Sequence, residues 1–238
     1  MTTNFLKDPD PAVVLFAVID KTKPASAADP QGALAGIMCY MNTSSVNLCT
    51  EIAITILPPF QRTHVTSNAV GLLLQYALEP PSRSGLGLRR VQWQCSSMNA
   101  PSNRTAERMG FKKEGVMKWH RVYPEGKDKG KVHNGREFPR HGEQDYARDT
   151  VIYSQCWDVW EQGGRENVQA IMDRQHVSGV FKVPSSCNNT YSCCSDTLHN
   201  SHQVVQSDIV LKYHVCKYDG FNQDLYTYDT VAGYQQVR

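Results

Sequence analysis

Residues 91–95 read VQWQC, and residues 98–111 read MNAPSNRTAERMGF. In the first segment apolar side chains alternate with glutamines, which is the period-two pattern of a strand with one buried face. In the second segment residues 103–109 are compatible with a helix, and Gly110 stands where a helix commonly ends in a left-handed residue. Together the two segments predict a strand that is followed by a short helix.

The sequence before this segment predicts three strands and a longer helix. Residues 13–19, 33–40 and 48–57 are apolar runs of strand length separated by polar loops, a pattern typical of an antiparallel meander. After two prolines the period changes to that of a helix, which ends at Pro80-Pro81. Its apolar face consists of Val65, Ala69, Leu72, Leu73, Tyr76 and Ala77.

The sequence after Gly110 predicts two more strands, at residues 111–122 and 150–157, with a polar loop over 123–148 between them. A helix is predicted over residues 160–175. The order of three strands, helix, strand, helix and two strands indicates an α/β fold with a mixed sheet and helices on its faces.

Beyond residue 176 the composition changes. Residues 177–238 are rich in Ser, Asn, His, Gln and Tyr, and their weak periodicity predicts only one strand, at 207–215. We therefore expect a first domain over residues 1–176 and an unassigned, poorly ordered tail over 177–238.

Composition and charge exclude some classes of protein. The chain has 238 residues, 40% of them hydrophobic, and no apolar run of the roughly 18 residues that cross a membrane. Its start lacks the features of a secretory or mitochondrial signal, so we expect a cytoplasmic protein whose eight cysteines are thiols. Residues 83–140 carry 14 Lys and Arg against 5 Asp and Glu, a basic region that suits either solvent or an anionic ligand.

The string from 91 to 111, with its N-x-x-S…G-F ending, resembles the GNAT acyltransferase superfamily in its RimJ/RimL-like branch. The resemblance extends upstream through residues 51–63 and downstream through 148–160, and it covers residues 13–175. It implies the acyl-CoA N-acyltransferase fold, an α+β arrangement with a mixed central sheet flanked by helices. It also implies an enzyme that transfers an acetyl group from acetyl-CoA to a primary amine by direct attack, without a metal.

By this resemblance, acetyl-CoA would lie against three segments. The turn that opens the long helix would hold the pyrophosphate with backbone N–H groups and the helix dipole, and its residues are Gln61, Arg62, Thr63, His64, Val65 and Thr66. The pantetheine arm would lie in a gap between the third and fourth strands and pair with the backbone at Thr55, Ile56 and Leu57. Asn99, Ser102 and Asn103, at the start of the next helix, would contact its far end.

The resemblance also supplies two catalytic candidates. Glu51 occupies the position of the family's glutamate, and a carboxylate partly desolvated there would have a raised pKa and accept the proton of an ammonium group. Many members have a tyrosine where this chain has Ala106, so Ser102 is the candidate acid for the departing thiolate. Glu51 as a solvent-facing residue and Asn99 as a simple helix cap are the structural alternatives.

Three departures from the family pattern favour a second hypothesis. Neither glycine of the usual Q-G-x-G-x-A turn is present, the expected first strand and helical wall of the acceptor groove have no counterpart before residue 13, and the tail matches nothing in the family. The alternative is therefore a catalytically degenerate GNAT fold that binds coenzyme A or a protein. The acceptor, either a protein N-terminus or a small amine, and the oligomeric state remain open.

Two rival classes of protein are less well supported. The tail contains possible zinc ligands, namely Cys193, Cys194, His199, His202, His214 and Cys216, but without the paired spacing of a zinc site. Nucleic-acid binding would need exposed rings such as Trp93, Trp119 and Tyr123 among the basic residues. We expect Trp93 to be in the core and expect neither nucleic acid nor a membrane as a partner.

Overall fold

The computed structural model describes residues 10, 12–25, 30–123, 137–140, 143–174, 201–205, 208–214, 228–231 and 234–237. It contains four α-helical segments within these ranges, namely α1 (His64–Leu78), α2 (Ala100–Arg108), α3 (Trp157–Val159) and α4 (Arg165–Met172). The strands are β1 (Val14–Asp20), β2 (Ala33–Ser44), β3 (Cys49–Ile56), β4 (Arg90–Ser96), β5 (Lys112–Tyr123), β6 (Glu137–Arg140), β7 (Glu143–Cys156), β8 (Ser201–Val205), β9 (Ile209–His214), β10 (Tyr228–Val231) and β11 (Tyr234–Val237). Short 3-10 turns lie at Pro58–Phe60 and Pro81–Arg83.

One mixed sheet organises the molecule. Its strand order is β5-β7-β4-β3-β2-β1-β9-β8, with β6 paired to β7, while β10 and β11 form a separate pair. The β3–β4 pairing is parallel, and the other pairings in this sheet are antiparallel. The predicted meander and the order of the elements through β5 are confirmed, whereas β6 lies within the segment that was predicted to be a loop.

The long helix α1 lies at the centre of the core rather than on its surface. Twelve of its fifteen residues are buried, so its sides as well as its predicted apolar face are covered. Gly71 explains the close approach of α4, because a Cβ at this position would lie 2.2 Å from Met172 Sδ. The core between α1 and the sheet is completed by Trp93, Phe111 and Trp160, and the predicted core position of Trp93 is confirmed.

The second helix begins earlier than predicted, at Ala100 instead of residue 103. Asn99 caps it by accepting a hydrogen bond from the Ser102 N–H at 3.3 Å, and a proline is tolerated in a first turn because its missing N–H has no partner there anyway. Gly110 follows the helix with φ +91°, which confirms the predicted left-handed residue.

Two further boundaries were predicted wrongly. Strand β7 begins at Glu143 instead of residue 150, because cross-strand pairing with β5 and β6, rather than apolar alternation, holds its polar first half. The helix predicted over 160–175 is interrupted by a π turn over Trp160–Gly164, where Gly163 has φ +111°, and α4 proper covers eight residues.

The predicted strand in the tail is confirmed as β9, which pairs with the edge of β1 opposite β2. Ile209 and Leu211 of β9 are fully buried in the core that contains α1. Four of the candidate zinc ligands, Cys193, Cys194, His199 and Cys216, lie outside the described residues, as do the side chains of His202 and His214. Within the described residues no helix combines the length and apolar character needed to cross a membrane.

Candidate functional site

The parallel strands β3 and β4 separate part-way along their length. They pair only at Cys49–Arg90, Thr50–Val91 and Glu51–Gln92. Beyond Glu51, β3 continues beside β2 as far as Ile56, and β4 continues beside β7 as far as Ser96. The facing edges of β3 and β4 are therefore not paired to each other over these residues, and the predicted gap is present.

Glu51 is the last residue of β3 that pairs with β4, and it lies where the gap between these two strands opens. Its side chain is buried, and its Oε2 accepts hydrogen bonds from Asn42 Nδ2 and Gln94 Nε2, both at 3.0 Å. Burial raises the pKa of Glu51, an effect that the Asn42 hydrogen bond and the charges of Arg121 and Arg148 partly oppose. The burial contradicts the alternative of a solvent-facing residue, and the predicted direction of the pKa shift is confirmed.

Sequence reasoning missed the residues that surround Glu51. Asn42 comes from the end of β2, Gln94 from β4, and Arg121 and Arg148 form a cross-strand pair between β5 and β7. Gln94 alone had a recognisable signal, because it alternates with the buried Trp93 and Cys95 and must face the other side of the sheet. The other three depend on the register of distant strands.

The turn before α1 has the geometry of a helix start with one unusual residue. Thr63 caps α1 by accepting a hydrogen bond from the Val65 N–H, while its own hydroxyl donates to the Phe60 carbonyl at 2.6 Å. Gln61 Nε2 donates to the Ile56 carbonyl at 2.9 Å. Arg62, which replaces the first glycine of the family's turn, has φ +62° and is exposed. The backbone thus keeps a conformation that favours glycine although the glycine itself is absent.

His64 begins α1 beside a buried carboxylate. Its Nε2 lies 3.6 Å from Oδ1 of Asp20, which is 1% exposed and also accepts hydrogen bonds from the Thr22 N–H and hydroxyl. Val65 is buried beneath the turn, and Thr66 is half-buried. Along the adjoining end of β3 the side chains of Thr55 and Leu57 are exposed, and Ile56 is half-buried.

The corner between β4 and α2 is fixed by hydrogen bonds. Ser102 Oγ accepts from Trp93 Nε1 at 3.1 Å. Asn103 Nδ2 donates to the Ser96 and Asn99 carbonyls, and its Oδ1 accepts from Tyr153 and Cys95. An amide has two donor hydrogens and two acceptor lone pairs, so these bonds use the full capacity of Asn103. The structure thus shows Asn103 in a structural role and Asn99 as the helix cap, and their predicted contacts with a cofactor stay predictions.

A shallow groove on the opposite face of the sheet is separate from Glu51. It lies between α2 and the strands β5 and β7, and Arg104, Glu107, Lys113 and Tyr153 are among its lining residues. Burial, together with the negative charge of Glu107 and its hydrogen bond, raises the pKa of Tyr153 to about 12. The Tyr153 hydroxyl therefore remains protonated at neutral pH and serves as a hydrogen-bond donor to Asn103 and Glu107.

Comparison with known proteins agrees with this geometry. Residues 3–112 match the family model described as an acetyltransferase (GNAT) domain. The matched residues include β1 to β4, α1 and α2, and therefore the gap, Glu51 and the start of α1. The fold is the GNAT fold. The match ends at the first residue of β5, so it does not include Arg121 and Arg148 of this sheet.

Solved structures of acetyltransferases resemble the chain. A GCN5-related N-acetyltransferase from Brucella melitensis is 29% identical, with a TM-score of 0.48, and the aligned part covers 66% of this chain. That part covers only 57% of the Brucella chain, which is less than two thirds of its length. A mutant of the spermidine N-acetyltransferase SpeG from Vibrio cholerae is 16% identical, with a TM-score of 0.45 and coverage of 63% of this chain and 69% of that one. No protein with a curated function matches the sequence.

Proposed function

We propose that this protein is an N-acetyltransferase that transfers the acetyl group of acetyl-CoA to a primary amine by direct attack. The observation that carries the proposal is the position of Glu51, a buried carboxylate with a raised pKa at the point where β3 and β4 separate. The proposed acceptor is a small amine or a protein N-terminus. Membership of the RimJ/RimL-like branch and a cytoplasmic location belong to the same proposal.

The chain offers a fitting place for acetyl-CoA. The facing edges of β3 and β4 beyond Glu51 leave room for an extended arm that pairs like an added strand, with the backbone at Thr55, Ile56 and Leu57 as its partners. The first turn of α1, over residues 61–66, would hold the pyrophosphate through its N–H groups and the positive end of the helix dipole. Because the Thr63 hydroxyl donates to Phe60, Arg62 is the better candidate for an additional side-chain contact to phosphate.

When bound, acetyl-CoA supplies the thioester carbonyl that the amine attacks. Glu51 accepts the proton that the amine loses, directly or through a water molecule, and its raised pKa narrows the difference from that of an ammonium group. Asn42 and Gln94 both donate to Oε2 and so hold the carboxylate in a fixed orientation. Neither amide can accept that proton at neutral pH, which leaves Glu51 as the base in this group of three.

Ser102 is the proposed acid for the departing sulfur. Its Oγ accepts the Trp93 indole N–H, and its hydroxyl also forms a hydrogen bond with Cys95, so donation to the sulfur of coenzyme A would replace that bond. Asn99 orients Ser102 by capping the same helical turn. Ser102→Ala should therefore lower the rate and leave the binding of acetyl-CoA nearly unchanged.

A second candidate function is binding of coenzyme A or a protein without turnover. It is favoured by Arg62 and His64, which occupy the two glycine positions of the family's turn and place side chains where phosphates would approach the backbone. The presence of a buried base beside the gap favours turnover instead.

The first experiment is calorimetric titration of the full chain with acetyl-CoA, followed by rate measurements on a panel of primary amines. Micromolar binding with turnover by the native protein is expected, and Glu51→Gln should reduce the turnover number about 100-fold or more while the Kd for acetyl-CoA changes less than threefold. Binding without turnover on any amine would favour the second candidate. Absence of binding by folded protein would contradict both.

A further inference from the structure

The face of the sheet that carries Glu51 also carries two arginines. Gln92 is paired with Glu51, and along β4 every second side chain after it, Gln94 and then Ser96, lies on the same face. Ser96 is opposite Thr150 of β7, and Arg148, two residues further along β7, shares that face just beyond the end of β4. Arg121 of β5 is directly opposite Arg148.

Two like charges directly opposite each other in a sheet are unfavourable. Arg121 is exposed and Arg148 is half-buried. Carboxylates offset two other half-buried arginines of this protein: Arg90 pairs with Glu114, and Arg165 with Glu79. Within the described part of the chain no such ion pair is found for Arg121 or Arg148. The two arginines thus lack a close counter-charge from those residues.

The same small region contains buried polar atoms that lack a hydrogen-bond partner. Arg148 Nε and His120 Nδ1 are both inaccessible to solvent and unbonded among the described residues. Burial and the two neighbouring arginines lower the pKa of His120, so this imidazole is neutral near pH 7. Counted over the side chains that the structure describes, Arg121, Arg148 and an ionised Glu51 leave one unit of positive charge in excess on this face.

We propose that the acetyl acceptor is a primary amine that also carries an anionic group, a carboxylate or a phosphate, and that Arg148 with Arg121 binds this group. The inference rests on the proposed function and names the chemical class of its acceptor. A guanidinium forms paired hydrogen bonds with either anion, and the buried Arg148 Nε has no hydrogen-bond partner among the described residues. A polyamine, in contrast, would bring further positive charge to a region that already has an excess.

The test compares four amines: β-alanine, 2-aminoethyl phosphate, propylamine and spermidine. We expect a kcat/KM at least tenfold higher for one of the two anionic amines than for propylamine or spermidine. Whether β-alanine or 2-aminoethyl phosphate has the higher kcat/KM then shows whether the site prefers a carboxylate or a phosphate. Arg148→Gln should lower kcat/KM for that amine at least tenfold and for propylamine less than threefold. The control is Arg89→Gln, which removes the same charge from an exposed side chain outside the site and should change neither.

Some results would overturn the proposal. The first is a higher kcat/KM of the native protein for spermidine or propylamine than for both anionic amines. The second is an equal loss of kcat/KM for all four amines in Arg148→Gln, accompanied by a shift of the acid limb of the pH–rate profile. That second outcome would mean that Arg148 acts only on the ionisation of Glu51.

Calorimetry keeps this proposal separate from the proposed function. The two anionic amines and propylamine are titrated into the native protein and Arg148→Gln, with and without coenzyme A. Anion-dependent binding that is lost in the variant supports the anion site even where acetyl transfer fails on every amine. Equal binding of charged and uncharged amines would refute the anion site even where acetyl transfer succeeds.

Discussion

At the scale of single residues, the site combines a base that is costly to bury with backbone strain at the neighbouring turn. The Glu51 carboxylate is 8% exposed and meets two amide donors rather than a close cation. Arg62 has a left-handed backbone conformation that costs a non-glycine residue about 1 kcal/mol. Both features are expected to reduce the free energy of unfolding, and both lie where the proposed chemistry needs them.

Glu51→Gln should make the protein more stable at neutral pH. The folded state holds the Glu51 proton at pH values where the unfolded chain has released it, so stability falls as pH rises above the ordinary carboxyl pKa of 4.5 and stays lower above the raised pKa. Glutamine has no charge to desolvate and can still accept from Asn42 and Gln94. Urea unfolding across this pH range should show the advantage of the variant at neutral pH and its disappearance below pH 4.5. A variant less stable than the native protein at neutral pH would contradict the assigned burial penalty.

Arg62→Gly should separate stability from binding. Glycine adopts φ +62° without a steric penalty, so the free energy of unfolding should stay unchanged or rise by up to about 1 kcal/mol. Loss of the guanidinium should raise the Kd for acetyl-CoA several-fold, and more so at low salt. Thermal unfolding and calorimetry measure the two effects. A parallel loss of stability and affinity would mean that Arg62 has a structural role in the turn.

At the scale of elements, Glu79 joins the end of α1 to the last helical segment. Its carboxylate accepts hydrogen bonds from Trp160 Nε1 at 3.2 Å and from Arg165 Nε and Nη2, and the helix C-cap itself is Glu79. The Arg90–Glu114 pair on the other side of the sheet is of the same chemical type but more exposed, with Glu114 at 41%. The two pairs provide a matched comparison of buried and exposed ion pairs.

Glu79→Gln should cost about 2–3 kcal/mol of unfolding free energy, because it leaves Arg165 without its counter-charge in a largely buried position. Glu114→Gln should cost less than about 1 kcal/mol, since solvent screens that pair. Hydrogen bonds from Arg90 lower the pKa of Glu114 to about 2. The stabilisation of the folded state by the Arg90–Glu114 pair should therefore be present above pH 4.5 and disappear as the pH falls toward 2. Equal costs for the two variants at neutral pH would contradict this ranking.

At the scale of the whole molecule, the sheet depends on a strand from the end of the chain. Strand β9 covers the edge of β1, and its Ile209 and Leu211 side chains are completely buried against the core that contains α1. An uncovered β1 edge would expose unpaired backbone groups and promote association. The segment beyond residue 176 therefore contributes to the stability of the domain through β9.

Truncation after Arg174 should lower the free energy of unfolding by about 3–6 kcal/mol, from the exposure of two fully buried aliphatic side chains. Truncation after His214 retains β8 and β9 and is the matched control, which should unfold within a few degrees of the full chain. Thermal unfolding and light scattering measure stability and association. Equal melting temperatures for the two truncations would show that β9 does not support the sheet.

Local periodicity in the sequence determined the order of elements through β5, the helix α1 with its apolar face, and the placement of Glu51 on a strand. These features follow from the alternation and spacing of side chains that are neighbours along the chain. The family resemblance, in turn, indicated which residues of those elements to examine.

Tertiary structure alone decided how far β3 and β4 stay paired, that Asn42 and Gln94 meet Glu51, and that Arg121 and Arg148 face each other. It also decided that β9 would close the edge of β1. Each of these depends on the register between strands that are distant in the sequence, and a strand pattern of period two specifies which side chains share a face but not which residue of another strand lies opposite.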